Sequence, residues 1–218
     1  MTIYARRLRR AELIEALRGV AGWLTDDEAW ALHEVARANR SGSTVVEIGS
    51  WQGRSTIALA SGLRARGAGT VYAVDPHSDS ALHRATGVLD THSAFVANVH
   101  AAGLADYVRA VRATSLAARE RFAERSVHFL FVDGSHLFED VVSDIDAWTP
   151  ALADGAAVAF HDARDEPGVR RALGDRVEPE DSAFHQLRRL DNLLLARFRR
   201  PAQPTDSPGG AAIGIRSM

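Results

Sequence analysis

The chain has 218 residues, with 26 basic and 28 acidic side chains, no cysteine, a formal net charge of −2 and a pI near 6.5. This length predicts one domain with a sizeable core, and the near balance of charge gives no reason to expect a nucleic-acid or membrane partner. The lack of cysteine excludes disulfides and thiolate metal sites and fits a reducing cytoplasm. Arginine supplies the whole basic count; the absence of lysine removes a P-loop lysine, a Schiff base and a lysine general base. No apolar run is long enough to span a bilayer.

The opening, MTIYARRLRRAELIEAL, reads as a helix rather than an export signal, because no apolar core follows its arginines. Helices are predicted over 8–18 and 25–39. Thr25 and Glu28 form a capping-box pattern in the second, and Trp30, Leu32 and Val35 give it an apolar stripe. Residues 1–40 thus read as a helical cap on the sheet edge of a single unit spanning 41–218. A lid over a ligand, or a contact that builds a homo-oligomer, is the alternative. The stretch VVEIGSWQGRST (45–56) then runs from an apolar strand through a glycine turn into a helix over 55–65. Such a turn lets backbone approach a ligand and offers it the free N–H groups of a helix start. A carboxylate at Glu47 would repel a pyrophosphate but suits a cationic or hydroxyl-bearing ligand.

Further strands are predicted at 70–75, 108–113, 127–133 and 156–162, with helices at 91–102, 116–123 and 137–148. The alternation argues a doubly wound α/β sheet with right-handed crossovers. Two apolar segments, 192–199 and 211–216, have no helix between them and are expected to pair antiparallel at one edge. Residues 76–90 and 163–190 carry no recognisable code and are expected to shape a substrate pocket.

In open α/β sheets ligands bind outside the carboxyl ends of the strands. Those ends present Glu47 and Gly49, Asp75 and His77, Ser115, Asp133 and His136, and His161 and Asp162. Any one of them reads equally as a turn or helix cap. Their convergence on one rim is harder to dismiss. Gly49 and Gly53 stand four apart, so the dinucleotide spacing G-x-G-x-x-G is not met.

In this order EIGSWQGRS, AVDPH, VDGSHLFEDVVSDIDAWTPAL and FHD resemble bacterial class I S-adenosylmethionine-dependent methyltransferases, closest to a group found in natural-product and sugar O-methylation. The resemblance covers roughly 40–175. It implies a Rossmann-like seven-stranded sheet with an antiparallel last strand and helices on both faces. It also implies a cofactor site at Glu47, Gly49, Ser50 and Gly53, with Asp75 on the ribose hydroxyls, Ser115 near the adenine and Asp133 bordering the site. In related metal-dependent enzymes the aspartate of this motif holds a divalent ion and its histidine is the general base, roles that map onto Asp133 and His136. Two adjacent acids after the fifth strand would complete the ion site, and here His161 and Asp162 stand there. Magnesium prefers hard oxygen ligands. Either Asp133, His161 and Asp162 hold Mg²⁺ or Mn²⁺, or His161 serves in substrate binding or as a second base.

The expected reaction is methyl transfer from S-adenosylmethionine to a hydroxyl of a small molecule, a sugar or natural product, in the cytoplasm. Histidine suits the removal of the hydroxyl proton near neutral pH. The alternatives are a non-catalytic S-adenosylmethionine-binding protein, which would need neither His136 nor Asp162, and a nicotinamide-dependent oxidoreductase, which the glycine spacing disfavours.

Overall fold

The computed structural model describes residues 9–40, 42–77, 87 and 91–201. Seven strands form one sheet: β1 (Thr44–Ile48), β2 (Thr70–Val74), β3 (Val108–Val111), β4 (Val127–Val132), β5 (Leu152–Phe160), β6 (Phe184–Leu190) and β7 (Leu193–Phe198). Their spatial order is β3-β2-β1-β4-β5-β7-β6, so the chain reverses its direction of travel between β1 and β4. The first five strands pair in parallel, whereas β7 runs antiparallel to both β5 and β6. The α/β doubly wound sheet read from the sequence is the one observed.

Among the described residues seven α-helices connect and cover it: α1 (Arg10–Leu17), α2 (Asp26–Ala38), α3 (Arg54–Arg66), α4 (His92–Ala101), α5 (Ser115–Arg119), α6 (Phe138–Trp148) and α7 (Pro167–Arg176). Alternation along each central strand divides the core. Val45, Phe129 and Phe131 face a layer with Leu13, Leu32, Ile57, Leu59 and Phe95 from α1–α4. Val46, Leu130 and Val132 face the other layer, with Ile145 and Trp148 of α6 and Leu173 of α7. Burial on both faces is why these strands read as unbroken apolar runs. Helices α1 and α2 thus cover a face rather than an edge. Arg54 ties their linker to the start of α3, donating to the carbonyls of Leu24 at 2.8 Å and Leu17 at 3.0 Å. Among the described residues no helix is long and apolar enough to cross a membrane.

The tail differs from the expectation. The partner of 193–198 is 184–190, across the two-residue turn Asp191-Asn192, while 211–216 lies outside the described residues. Strand β6 has only Phe184 buried and a register shift between His185 and Arg188, so it shows no alternation to read. Helix α7 was also not foreseen, although Pro167 at its start and Val169, Ala172 and Leu173 on its buried face follow ordinary rules. The helix expected over 116–123 is the short α5, and β3 stops at Val111.

Candidate active site

The C-terminal rim of the sheet carries two groups of side chains. The first surrounds the turn between β1 and α3. Asp75, just past β2, accepts the backbone N–H groups of Ser50 at 2.9 Å and Trp51 at 2.8 Å on Oδ2, and that of His77 at 2.7 Å on Oδ1. Three backbone bonds hold the turn against β2, and a carboxylate has room for about four. One lone pair therefore remains for a ligand. Gly49 stands at φ +84, and a Cβ there would lie 2.1 Å from the Asp133 carbonyl oxygen. No other residue lets β1 pass so close to the end of β4. Gly53, at φ +93, starts α3 with Phe95 beside it.

Glu47 is fully buried in this turn. The Thr56 hydroxyl donates to its Oε2, whereas its Oε1 has no hydrogen-bond partner, nor does the buried Ser50 Oγ. Burial pushes the Glu47 carboxyl up to about 8 against the hydrogen bonds of Ser55 and Thr56, with Asp133 and Asp75 adding repulsion. Ser115 lies apart from this turn: its hydroxyl accepts the Trp148 indole N–H at 2.8 Å and also bonds Asp144.

The second group lies at the ends of β4 and β5, lining a shallow cleft. His136 Nε2 is 2.9 Å from Asp162 Oδ2, with Glu166 3.7 Å from Nδ1. The hydrogen bond to Asp162 raises the His136 pKa against a smaller opposing effect of burial. His161 sits below, with Nδ1 3.1 Å from Asp133 and 3.4 Å from Asp162, and Nε2 3.5 Å from Glu28. Burial alone would lower its pKa, but three carboxylates outweigh that and push it up to about 12. The ring is thus turned toward three carboxylates and is itself buried. Burial likewise raises the Asp133 carboxyl against the pull of His161, whereas the two histidines hold Asp162 well below the ordinary carboxylate range despite its burial.

The structure thus brings Asp133, His136, His161 and Asp162 together, and sets Glu47, Gly49, Ser50, Gly53 and Asp75 around the neighbouring turn. Asp133, His136 and Asp162 each place one ligand atom within 4.8 Å of the others. Three participants were missed. Glu28 was read only as a helix-capping residue. Asn192, in the β6–β7 turn, donates to Asp162 Oδ1 at 2.8 Å. Gly168 brings α7 so near that a Cβ would stand 2.2 Å from the His136 carbonyl oxygen. The capping box was a visible signal for Glu28; its burial was not.

Comparison with known proteins bears on this arrangement. Over 89% of this chain and 91% of the other, the fold superposes on a protein from Corynebacterium glutamicum with a TM-score of 0.65 and 21% identity. TomG of Streptomyces achromogenes, an O-methyltransferase involved in tomaymycin synthesis and solved in complex with SAM, aligns with a TM-score of 0.61 at 19% identity, covering 88% of this chain and 89% of TomG. An O-methyltransferase from Bacillus cereus, solved in complex with SAH, gives 0.62 at 18% identity over 89% of this chain and 93% of its own. At these identities the likeness is one of fold. A 56-residue stretch is 38% identical to the protein y4gI of Sinorhizobium fredii; it makes up 26% of this chain but only 6% of that relative's length. Residues 46–163, more than half of the chain, match the family described as "Methyltransferase domain". With the sheet order, the glycine turn and the matched span in agreement, the chain belongs to the methyltransferase-domain family.

Proposed function

We propose that the protein transfers the methyl group of S-adenosylmethionine to a hydroxyl oxygen of a small-molecule acceptor, with His136 as general base. The observation that carries this reading is the 2.9 Å contact between His136 Nε2 and Asp162, beside the glycine turn and open to the cleft. The residues of the turn fit the donor. Glu47 Oε1 and Ser50 Oγ are buried without partners, and the Asp75 carboxylate held on the Ser50 and Trp51 N–H groups lies beside them, which suits a positively charged sulfonium ligand. Asp75 has acceptor capacity left for the ribose hydroxyls. Ser115 is engaged by Trp148 and Asp144, so an adenine contact would use its backbone. TomG and the Bacillus enzyme, which carry SAM and SAH, support the same assignment by fold.

S-adenosylmethionine supplies an electrophilic methyl carbon when bound. The chain's residues align the acceptor oxygen with it, exclude water and take the hydroxyl proton onto His136 Nδ1, the ring nitrogen left free when Nε2–H donates to Asp162. Asp162 steadies the ring in its proton-accepting orientation and stabilises the imidazolium that forms. Residues 1–40 act as a helical cap on a methyltransferase unit of 41–218. A cytoplasmic location is supported by the absence of cysteine.

A second reading rests on the clustering of Asp133, His136 and Asp162. These could hold Mn²⁺ or, with one nitrogen ligand, less readily Mg²⁺. Such an ion would lower the pKa of an acceptor hydroxyl. Titration calorimetry with S-adenosylmethionine tests the cofactor, and activity in excess EDTA separates the readings. Binding with activity that survives EDTA supports the base, loss restored by Mn²⁺ supports the ion, and absence of binding refutes both.

A further inference from the structure

Glu28 lies in the first turn of α2, more than a hundred residues before the β4 end, yet its side chain is fully buried at the rim. One of its tasks is local. Its Oε2 accepts the Thr25 N–H at 2.8 Å, and Thr25 Oγ1 accepts the Glu28 N–H at 3.2 Å, closing the capping box. That task needs one oxygen and no burial. The other oxygen, Oε1, accepts the backbone N–H of Asn192 at 2.7 Å. Asn192 then donates through Nδ2 to Asp162 Oδ1 at 2.8 Å, while its own Oδ1 accepts the N–H groups of Arg164 at 2.9 Å and Asp165 at 3.1 Å. A second route leads from Glu28 Oε2, 3.5 Å from His161 Nε2, through that ring to Asp162.

Both routes end on a residue whose backbone is itself unusual. Asp162 stands at φ +57, a left-handed conformation that a non-glycine residue keeps only where its surroundings over-determine it. Its remaining carboxylate oxygen meets His136. We propose that Glu28 is a positioning residue for His136: through Asn192 and His161 it holds Asp162 in place, so that α2 fixes the geometry of the dyad. The functional half of this inference rests on the general-base reading above.

The chemistry selects the test. Glu28 accepts the Asn192 N–H on Oε1 and the Thr25 N–H on Oε2, and only a carboxylate accepts from both. Glu28→Gln keeps the shape and can still close a capping box, but it turns an NH₂ group toward one of those donors. The ring Cε1–H resonances of the full-length protein are compared in wild type, Glu28→Gln, Asn192→Ala and Thr25→Ala, with the His136 signal identified by its loss in His136→Ala. The expected result is a displaced His136 signal in Glu28→Gln and Asn192→Ala. Thr25→Ala opens the same capping box and also removes the Thr25 hydroxyl's bond to Asp191 at 3.2 Å, beside Asn192, so it lowers the melting temperature and displaces the His136 signal less than Glu28→Gln does. No acceptor and no methyl transfer enter this readout, so it stands apart from the proposed reaction. With an acceptor in hand, Glu28→Gln lowers kcat about 10²-fold, the usual effect of a misplaced catalytic group, with KM for S-adenosylmethionine unchanged. A His136 signal unmoved in Glu28→Gln and Asn192→Ala, or a displaced signal with wild-type kcat, would overturn the inference. Should Glu28→Gln fail to fold, Asn192→Ala decides the matter alone.

Discussion

His136 and His161 share the Asp162 carboxylate and are fitted to opposite tasks. The His136 side chain is 44% exposed, open to a substrate, and Asp162 is its main polar contact. His161 is 5% exposed and enclosed by Glu28, Asp133 and Asp162, so it is closed to a substrate. His136→Ala is expected to cut kcat by about 10²–10⁴ while leaving the affinity for S-adenosylmethionine unchanged, as parallel kinetics and calorimetry would show. Because Asp162 raises the His136 pKa, the acidic limb of the pH–rate profile lies above the ordinary imidazole value. In Asp162→Asn that limb moves to lower pH and the maximal rate falls, since the freed base is weaker. Glu47 gives a stability test. Its carboxyl titrates near 4.5 when unfolded and about 8 in the fold, so between these values the native state keeps a proton that the unfolded chain has lost. Stability therefore falls as pH rises across that window. Urea unfolding at pH 5 and pH 8 should reveal the slope in the wild type and its absence in Glu47→Gln.

At the level of elements, two glycines decide how closely parts of the rim approach. Gly49 lets the end of β1 lie against the Asp133 carbonyl, and Gly168 does the same for α7 against the His136 loop. Gly168→Ala is expected to push α7 away, costing about 1–3 kcal/mol of stability as overpacking does and lowering kcat more than it weakens cofactor binding. Denaturant midpoints and a kcat–KM comparison would check both halves. The β1–turn–α3 unit was legible because its periodicity, small residues and closing acid all lie within one continuous stretch. Strand β6 was not, because an exposed edge strand with a register shift has no one-sided burial to print on its sequence. Asn192 and Gly168 were invisible for a related reason: their importance comes from contacts made across the fold, and their own neighbours in sequence say nothing of them.

Over the whole molecule, the N-terminal helices share the core. Leu13, Leu17 and Leu32 pack in the same cluster as Ile57, Leu59 and Phe131, and the carbonyl of His33 lies against Gly62, where an added Cβ would come within 2.4 Å. Removing residues 1–40 would expose the outer face of α3 and take Glu28 from the rim. The truncated chain is expected to lose cooperative thermal unfolding, which calorimetry would register. Trp148, fully buried between α6 and the sheet, should cost about 3–5 kcal/mol as Trp148→Ala. The doubly wound sheet could be read from the sequence because buried parallel strands are apolar throughout. The charge network of the rim could not, since a list of strand-end residues does not say which nitrogen meets which oxygen. Sequence position alone could not show that Glu28, Asp133 and Asp162 enclose His161.

The most direct measurement follows a labelled methyl group from S-adenosylmethionine into a panel of hydroxyl-bearing small molecules, with wild type and His136→Ala compared at matched cofactor saturation. The expected result is label on an acceptor oxygen with the wild type and a rate lower by about 10²–10⁴ with the variant. Label delivered to nitrogen or sulfur, or an undiminished rate in His136→Ala, would contradict the assignment of His136 as the base for methyl transfer to oxygen.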